Sequence, residues 1–179
     1  MERAPGGSPV GVDDPYAHVR RCDHVTDEGK CRWAVEQRHR DPEFADARSV
    51  EEFRCPAADP DGDWAWADCP HFRSTTAGTE CIRCGLEERR LAHEDVRPLL
   101  EEHHLSYADG SARGKRQLDH EITVSLCRWC HAKVHNSWAR IDDDASPDPD
   151  AVAEAETRKG RELDELSFES ASERFGDRD

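Results

Sequence analysis

Long apolar runs are missing from this chain, and lysine is scarce. No stretch approaches the roughly 20 apolar residues that a membrane-spanning helix needs, which excludes such a helix. Residues 1–14 lack the basic region followed by an apolar run that marks an export signal, so the expected location is the cytoplasm, with no membrane partner. In a reducing compartment the eight cysteines read as metal ligands and not as disulfides. Apolar residues are also few, at 35% against 36% charged. An interior that thin cannot offset the conformational entropy of ordering every segment, and metal staples are expected in its place.

Lysine occurs only at Lys30, Lys115, Lys133 and Lys159, whereas Asp, Glu and Arg are abundant. That balance is like the composition of proteins from organisms that keep molar salt in the cytoplasm, where an acidic surface holds water and its repulsion is screened within about 3 Å. The net charge of -15 speaks against a nucleic-acid partner only if it is spread evenly. It is not. Residues 1–80 carry 17 acidic and 10 basic groups, residues 81–141 carry 9 and 10, and residues 142–179 carry 14 and 5. The middle of the chain is near neutral, and the acidity belongs to its flanks.

Residues 1–15, rich in Gly, Pro and Asp, read as a disordered leader. A cysteine-rich segment follows over 16–72, then a linker over 73–80, a metal-binding module over 81–141 and an acidic linker over 142–148. Asp148 can cap a helix with Pro149 in its first turn, and Ala151, Val152, Ala155, Leu163 and Leu166 give it a weak apolar stripe. An acidic helix is expected over 149–167, with a tail over 168–179.

Two cysteine pairs, Cys81-x-x-Cys84 and Cys127-x-x-Cys130, bracket the module. Each pair puts two thiolates on one tight turn, and two such turns brought together surround a tetrahedral zinc. Between them, residues 99–105 and 121–126 read as strands, joined by a Gly-containing loop over 107–117. Knuckle, hairpin, second pair and helix, in that order, make a treble clef, so the expected fold is a small α+β zinc-binding one. A redox dithiol would not require a second matching pair. Cys127-x-x-Cys130-His131 also fits a c-type haem attachment signature, but that chemistry needs export.

The same module carries a histidine set. His131 and His135 stand four apart in a segment, 130–141, that reads as a helix, which puts them on one face at ligand separation. Ala132 follows the first of them, where a zinc protease has its catalytic Glu. His103 and His104 are neighbours in a strand and so point to opposite faces: one can bind metal while the other meets substrate. Asn136 reads as a solvated helical residue, and His93 and His120 as ordinary surface residues.

Glu102-His103-His104 on one strand, a second strand, and His131-x-x-x-His135 on a helix resemble the HNH (His-Me finger) endonucleases. The histidine pattern is similar to that of the nuclease colicins, and the cysteine pairs are similar to those of the zinc-stapled branch of the superfamily. The resemblance covers about 81–140. It implies a ββα-metal module in which His103, His131 and His135 hold one divalent ion (Mg²⁺, Mn²⁺, Ni²⁺ or Zn²⁺) and His104 is the general base. The activity implied is hydrolysis of phosphodiester bonds in nucleic acid, with DNA the expected substrate. A base that titrates near neutrality and a cation facing the phosphate suit that reaction. Arg113, Lys115, Arg116, Lys133 and Arg140 are then candidates for contacts to flanking phosphates. The chain departs from the family at one position: Ile122 stands where an Asn usually orients the base, and Glu121 or Asp119 is left for that role. The alternative expectation is a zinc finger that binds nucleic acid or a protein without cutting.

Cys22, Cys31, Cys55 and Cys69 lie in the first segment without any CxxC pair. They are read either as a second structural zinc site, with His24 or His71 able to replace one thiol, or as four thiols filling a small core beside Trp33, Phe44, Phe53, Trp64, Trp66 and Phe72.

Overall fold

In the computed structural model the described residues are 3–75, 78–88, 99–107 and 120–166. The elements follow from local chemistry. Cys31 opens the short α1 (Arg32–Glu36), and Asp41, which accepts the Phe44 amide at 3.0 Å, caps α2 (Pro42–Val50) with proline in its first turn. Strands β1 (Leu100–Ser106) and β2 (Ile122–Cys127) pair antiparallel, with a register irregularity between His104 and Ser106. All six residues of β2 are buried, which suits its β-branched Ile-Thr-Val start. α3 (Arg128–Asn136) begins directly at the end of β2, where the Cys127 sulfur accepts the Cys130 amide. α4 (Pro149–Leu166) starts on Asp148, whose carboxylate accepts the Asp150 and Ala151 amides at 2.9 and 3.3 Å. The result is a small α+β protein built on a two-stranded sheet.

Both strands lie one residue later than the sequence reading puts them, and α4 matches its expected range closely. α3 is shorter than 130–141, because the chain bends at Ser137 and Trp138 and brings Ile141 back, its amide donating to the Gly11 carbonyl at 3.0 Å.

Three expectations are corrected. Residues 3–15 of the leader are not disordered: Val10 and Val12 are fully buried, and Gly11 packs against Val134 and Ile141. This strip of backbone meets β1, where the Val10 carbonyl accepts from His103, and α3, where Gly11 lies against Val134. Residues 73–80 do not act as a free linker, since Ser74 exchanges hydrogen bonds with the β2 edge (Thr123 amide to Ser74 carbonyl, 2.9 Å) and the Gly78 carbonyl accepts the Ser125 hydroxyl at 2.9 Å. A buried edge strand needs such partners. His120 is buried and not a surface residue: its Nδ1 lies 2.7 Å from the Tyr16 hydroxyl, with the ring edge-on to Tyr16 and Phe72.

One apolar cluster runs from Val10 to Val152 and takes in Cys22, Cys69, Cys81, Cys127 and Cys130, so the first cysteine segment and the module share a core. A smaller cluster gathers around Cys31, Ala34 and Cys55.

Candidate metal centres

The first centre is built from sulfur. Gly85, at φ +70, lets the chain fold back so that its amide meets the Cys81 carbonyl at 2.8 Å, and this turn presents Cys81 and Cys84. The Ile82 amide donates to the Ser125 carbonyl at 2.9 Å, tying the turn to β2, at whose end Cys127 and Cys130 sit. All four sulfurs lie within 4.8 Å of one another, and Cys84 and Cys127 are 3.8 Å apart. A tetrahedral site with Zn–S bonds of about 2.3 Å has sulfurs about 3.8 Å apart, and the set fits. Sulfur hydrogen bonds from Cys127 and Cys130 pull the Cys81 thiol far down, while bonds with Cys127 and Cys81 push Cys130 up. Four sulfurs this close cannot all ionise without a cation among them. The cluster could therefore hold a structural metal ion such as zinc.

The second centre is built from nitrogen. His103, cross-strand from Val124, points inward, whereas His104, opposite Thr123, takes the other face. His131 and His135 come from successive turns of α3, and one ring nitrogen from each of the three histidines lies within 4.8 Å of the others. The rings meet edge to face, with centroids 4.7 to 5.1 Å apart. Their outer nitrogens are held. His103 Nε2 donates to the Val10 carbonyl at 2.9 Å, and His131 Nδ1 lies 2.7 Å from a Glu101 carboxylate oxygen. These bonds direct His103 Nδ1 and His131 Nε2 toward the centre, where His131 Nε2 meets His135 Nε2 at 3.0 Å. His103 Nδ1 is buried with no hydrogen-bond partner, the condition of a nitrogen awaiting a cation. Burial holds the His103 imidazole down to about 4, and burial followed by the neighbouring His131 lowers His135 as well, so both favour the neutral form a metal requires.

His104 stacks on Tyr107 at 4.8 Å between centroids, one third exposed, with Nε2 3.7 Å from Glu121. Glu121 is itself anchored by Arg73 Nε at 2.8 Å. Arg128 lies between Glu101 at 3.2 Å and Glu156 of α4 at 2.7 Å, and a cleft between α3 and α4 is lined by His131, His135, Val152 and Glu156. Arg140 is paired with Asp13 at 2.6 Å, and Lys133 lies over the Trp129 ring. Arg113, Lys115, Arg116, Asp119 and His93 lie outside the described residues. Asn136 is exposed and bonds back to the Ala132 carbonyl.

The four thiols of the first segment are all buried, yet they are not among the sets whose ligand atoms fall within 4.8 Å. Burial raises Cys22 and Cys31 and pushes Cys69 up to about 12. His71 is committed elsewhere, its Nε2 2.9 Å from Asp41 and its ring stacked 3.4 Å from Trp33.

Two participants escape the sequence reading. Glu101 is two residues before His103, hence on the same strand face, and that spacing was a usable signal. The Val10 carbonyl is a backbone group 93 residues from the ring it holds, and no side-chain pattern announces it.

Fold and site together define a small α+β protein with a four-cysteine cluster able to hold a metal ion, beside a three-histidine cluster with directed nitrogens. The chain belongs to a family of unknown function, DUF7097, whose model matches residues 1–174. No curated protein and no solved structure matches it.

Proposed function

We propose that this protein is a metal-dependent endonuclease of the HNH type, with a treble-clef module stapled by zinc at Cys81, Cys84, Cys127 and Cys130, and that it hydrolyses phosphodiester bonds in DNA. The observation that carries the reading is the division of labour in β1. His103 turns inward to join His131 and His135 with its outer nitrogen already tied to Val10, and the adjacent His104 turns outward beside a carboxylate.

In this reading His104 accepts the proton of the attacking water. Glu121, anchored by Arg73, holds the imidazole in position and stabilises its protonated form, the work an Asn does in related sites. His103, His131 and His135 would hold the divalent ion, which supplies positive charge against the charge that develops on the phosphate and the leaving oxygen. Glu101 and Val10 fix the ligand rings in the required tautomers. The near-neutral charge of residues 81–141 lets a polyanion approach once the acidic flanks are screened by salt.

The second reading is a zinc finger that binds nucleic acid or protein without cutting. Buried Ile122 at the Asn position favours it, as does the engagement of Arg128 and Arg140 by carboxylates. Plasmid nicking in molar KCl with Mg²⁺, Mn²⁺, Ni²⁺ or Zn²⁺ separates the two. The expected result is nicking by the wild type, reduced on the order of a hundredfold to ten-thousandfold in His104→Ala and abolished in His135→Ala. A wild type that binds the plasmid but nicks it with none of the four ions, or a His104→Ala variant as active as wild type, overturns the nuclease reading.

A further inference from the structure

The proposed activity leaves the first cysteine segment without a role, although its four thiols are among its most buried side chains. We infer that Cys22, Cys31, Cys55 and Cys69 form a second structural zinc site, all sulfur, distinct from the Cys81 set.

The first observation is convergence. The four cysteines come from four separate stretches, each is at most 9% exposed, and Val25, Phe44 and Trp66 pack both against the cluster that holds Cys22 and Cys69 and against the one that holds Cys31 and Cys55. Thiols that merely fill a core have no reason to collect in one place.

The second is the backbone around them. The His24 amide donates to the Cys22 sulfur at 3.5 Å. The same contact recurs in the Cys81 set, where the Cys130 amide donates to the Cys127 sulfur at 3.5 Å.

The third is strain. Glu52 and Phe53 hold φ of 54 and 63, a left-handed conformation that residues with a Cβ adopt only under constraint. That turn delivers the Phe53 carbonyl to the Cys31 amide at 2.7 Å and the Cys55 amide to the Gly29 carbonyl at 2.9 Å, locking two cysteines side by side through the Lys30–Arg54 bridge. Cys31 and Cys55 sit with Ala34 at the centre of this cluster, and Trp33, Phe44, Phe53 and Trp66 pack around them as a partly buried apolar wall.

The ligand chemistry is that of a soft, tetrahedral ion. Four buried thiols are the donor set of a tetrahedral structural zinc. These four sulfurs do not all lie within 4.8 Å of one another as those of the Cys81 set do.

Cobalt substitution tests this. Thiolate-to-cobalt charge transfer reports sulfur ligation alone, so an ion on the three histidines does not contribute. Full-length wild type should show twice the charge-transfer intensity per chain of Cys55→Ser, of Cys69→Ser and of Cys84→Ser, and its zinc count after brief EDTA treatment should be two. Wild type with one zinc and the charge-transfer intensity of a single four-sulfur site overturns the inference whether or not the variants fold. So does a folded Cys55→Ser chain that keeps both zincs. Neither readout depends on nuclease activity.

Discussion

Gly11 shows how a single residue sets the histidine centre. It sits at φ +83, and a Cβ there would lie 2.8 Å from Val134 Cγ1 and 3.3 Å from Ile141 Cγ1. Alanine at this position is strained in its backbone and also collides with α3, on the strip of chain whose Val10 carbonyl holds His103. Gly11→Ala is expected to destabilise the zinc-loaded protein by about 2 to 4 kcal/mol in denaturant unfolding, whereas Gly29→Ala, at φ +75 in open space, loses only about 1 kcal/mol. Equal losses would mean that the close approach at Gly11 is unimportant. The histidine cluster itself was legible, because spacing alone places His131 with His135 and separates His103 from His104. What orients the ligands was only half legible: Glu101 is readable from strand alternation, while a carbonyl recruited from the far end of the chain carries no side-chain signature. The burial of His120 was hidden for a related reason, since its partners Tyr16 and Phe72 come from distant segments.

At the scale of elements, the sequence expectation placed the two strands of the module to within one residue and its helix with an end five residues too late. Their signals are local: β-branched residues in β2, the Asp148-Pro149 start of α4, and cysteine turns at both ends of the hairpin. The docking of α4 was not recoverable, because it depends on a tertiary pair. Arg128 at the start of α3 reaches Glu156 at 2.7 Å and Glu101 at 3.2 Å, and Glu101 in turn holds His131. Side-chain exposures of 12% for Arg128 and 19% for Glu156 put this pair beyond the screening that weakens surface bridges. Glu156→Gln should therefore loosen α4 by about 1 to 3 kcal/mol, read as faster amide hydrogen exchange over residues 149–162 with exchange in β2 unchanged. Unchanged exchange in α4 would mean that Val152 and its apolar neighbours hold the helix without the ion pair. The segment 73–80 teaches the same lesson from the backbone side. Its Ser-Thr-Gly composition reads as a linker, yet a fully buried β2 leaves amides and carbonyls on its free edge that recruit whichever chain lies alongside.

For the whole molecule, the question is whether the two cysteine regions fold as one unit. The sequence suggests two bodies joined by a linker, but Cys22, Cys69 and Phe72 share a buried cluster with Cys81, Cys127, Cys130 and Val134, and the Asp23 carboxylate receives both the amide and the hydroxyl of Thr75. A structural zinc contributes about 10 to 16 kcal/mol of apparent binding energy, as much as the entire stability of an ordinary domain. Breaking the Cys81 set should thus unfold everything that leans on it. Cys84→Ser is the suitable lesion, because Cys84 is the least buried of the four and its loss leaves the thiols of the first segment untouched. If the core is shared, hydrogen exchange in Cys84→Ser rises throughout β1, β2 and α3 and also at Val10, Val12 and Phe72, in one cooperative step. Protection around Cys31, Ala34 and Cys55 should survive, because that smaller cluster has its own closure. Collapse of both regions together would make the chain a single cooperative unit, and survival of protection at Phe72 would make the shared cluster a contact between two independently stable parts. The first of these outcomes would make the Cys81 set the keystone of the entire fold, and the second would confine it to holding the histidine centre in place.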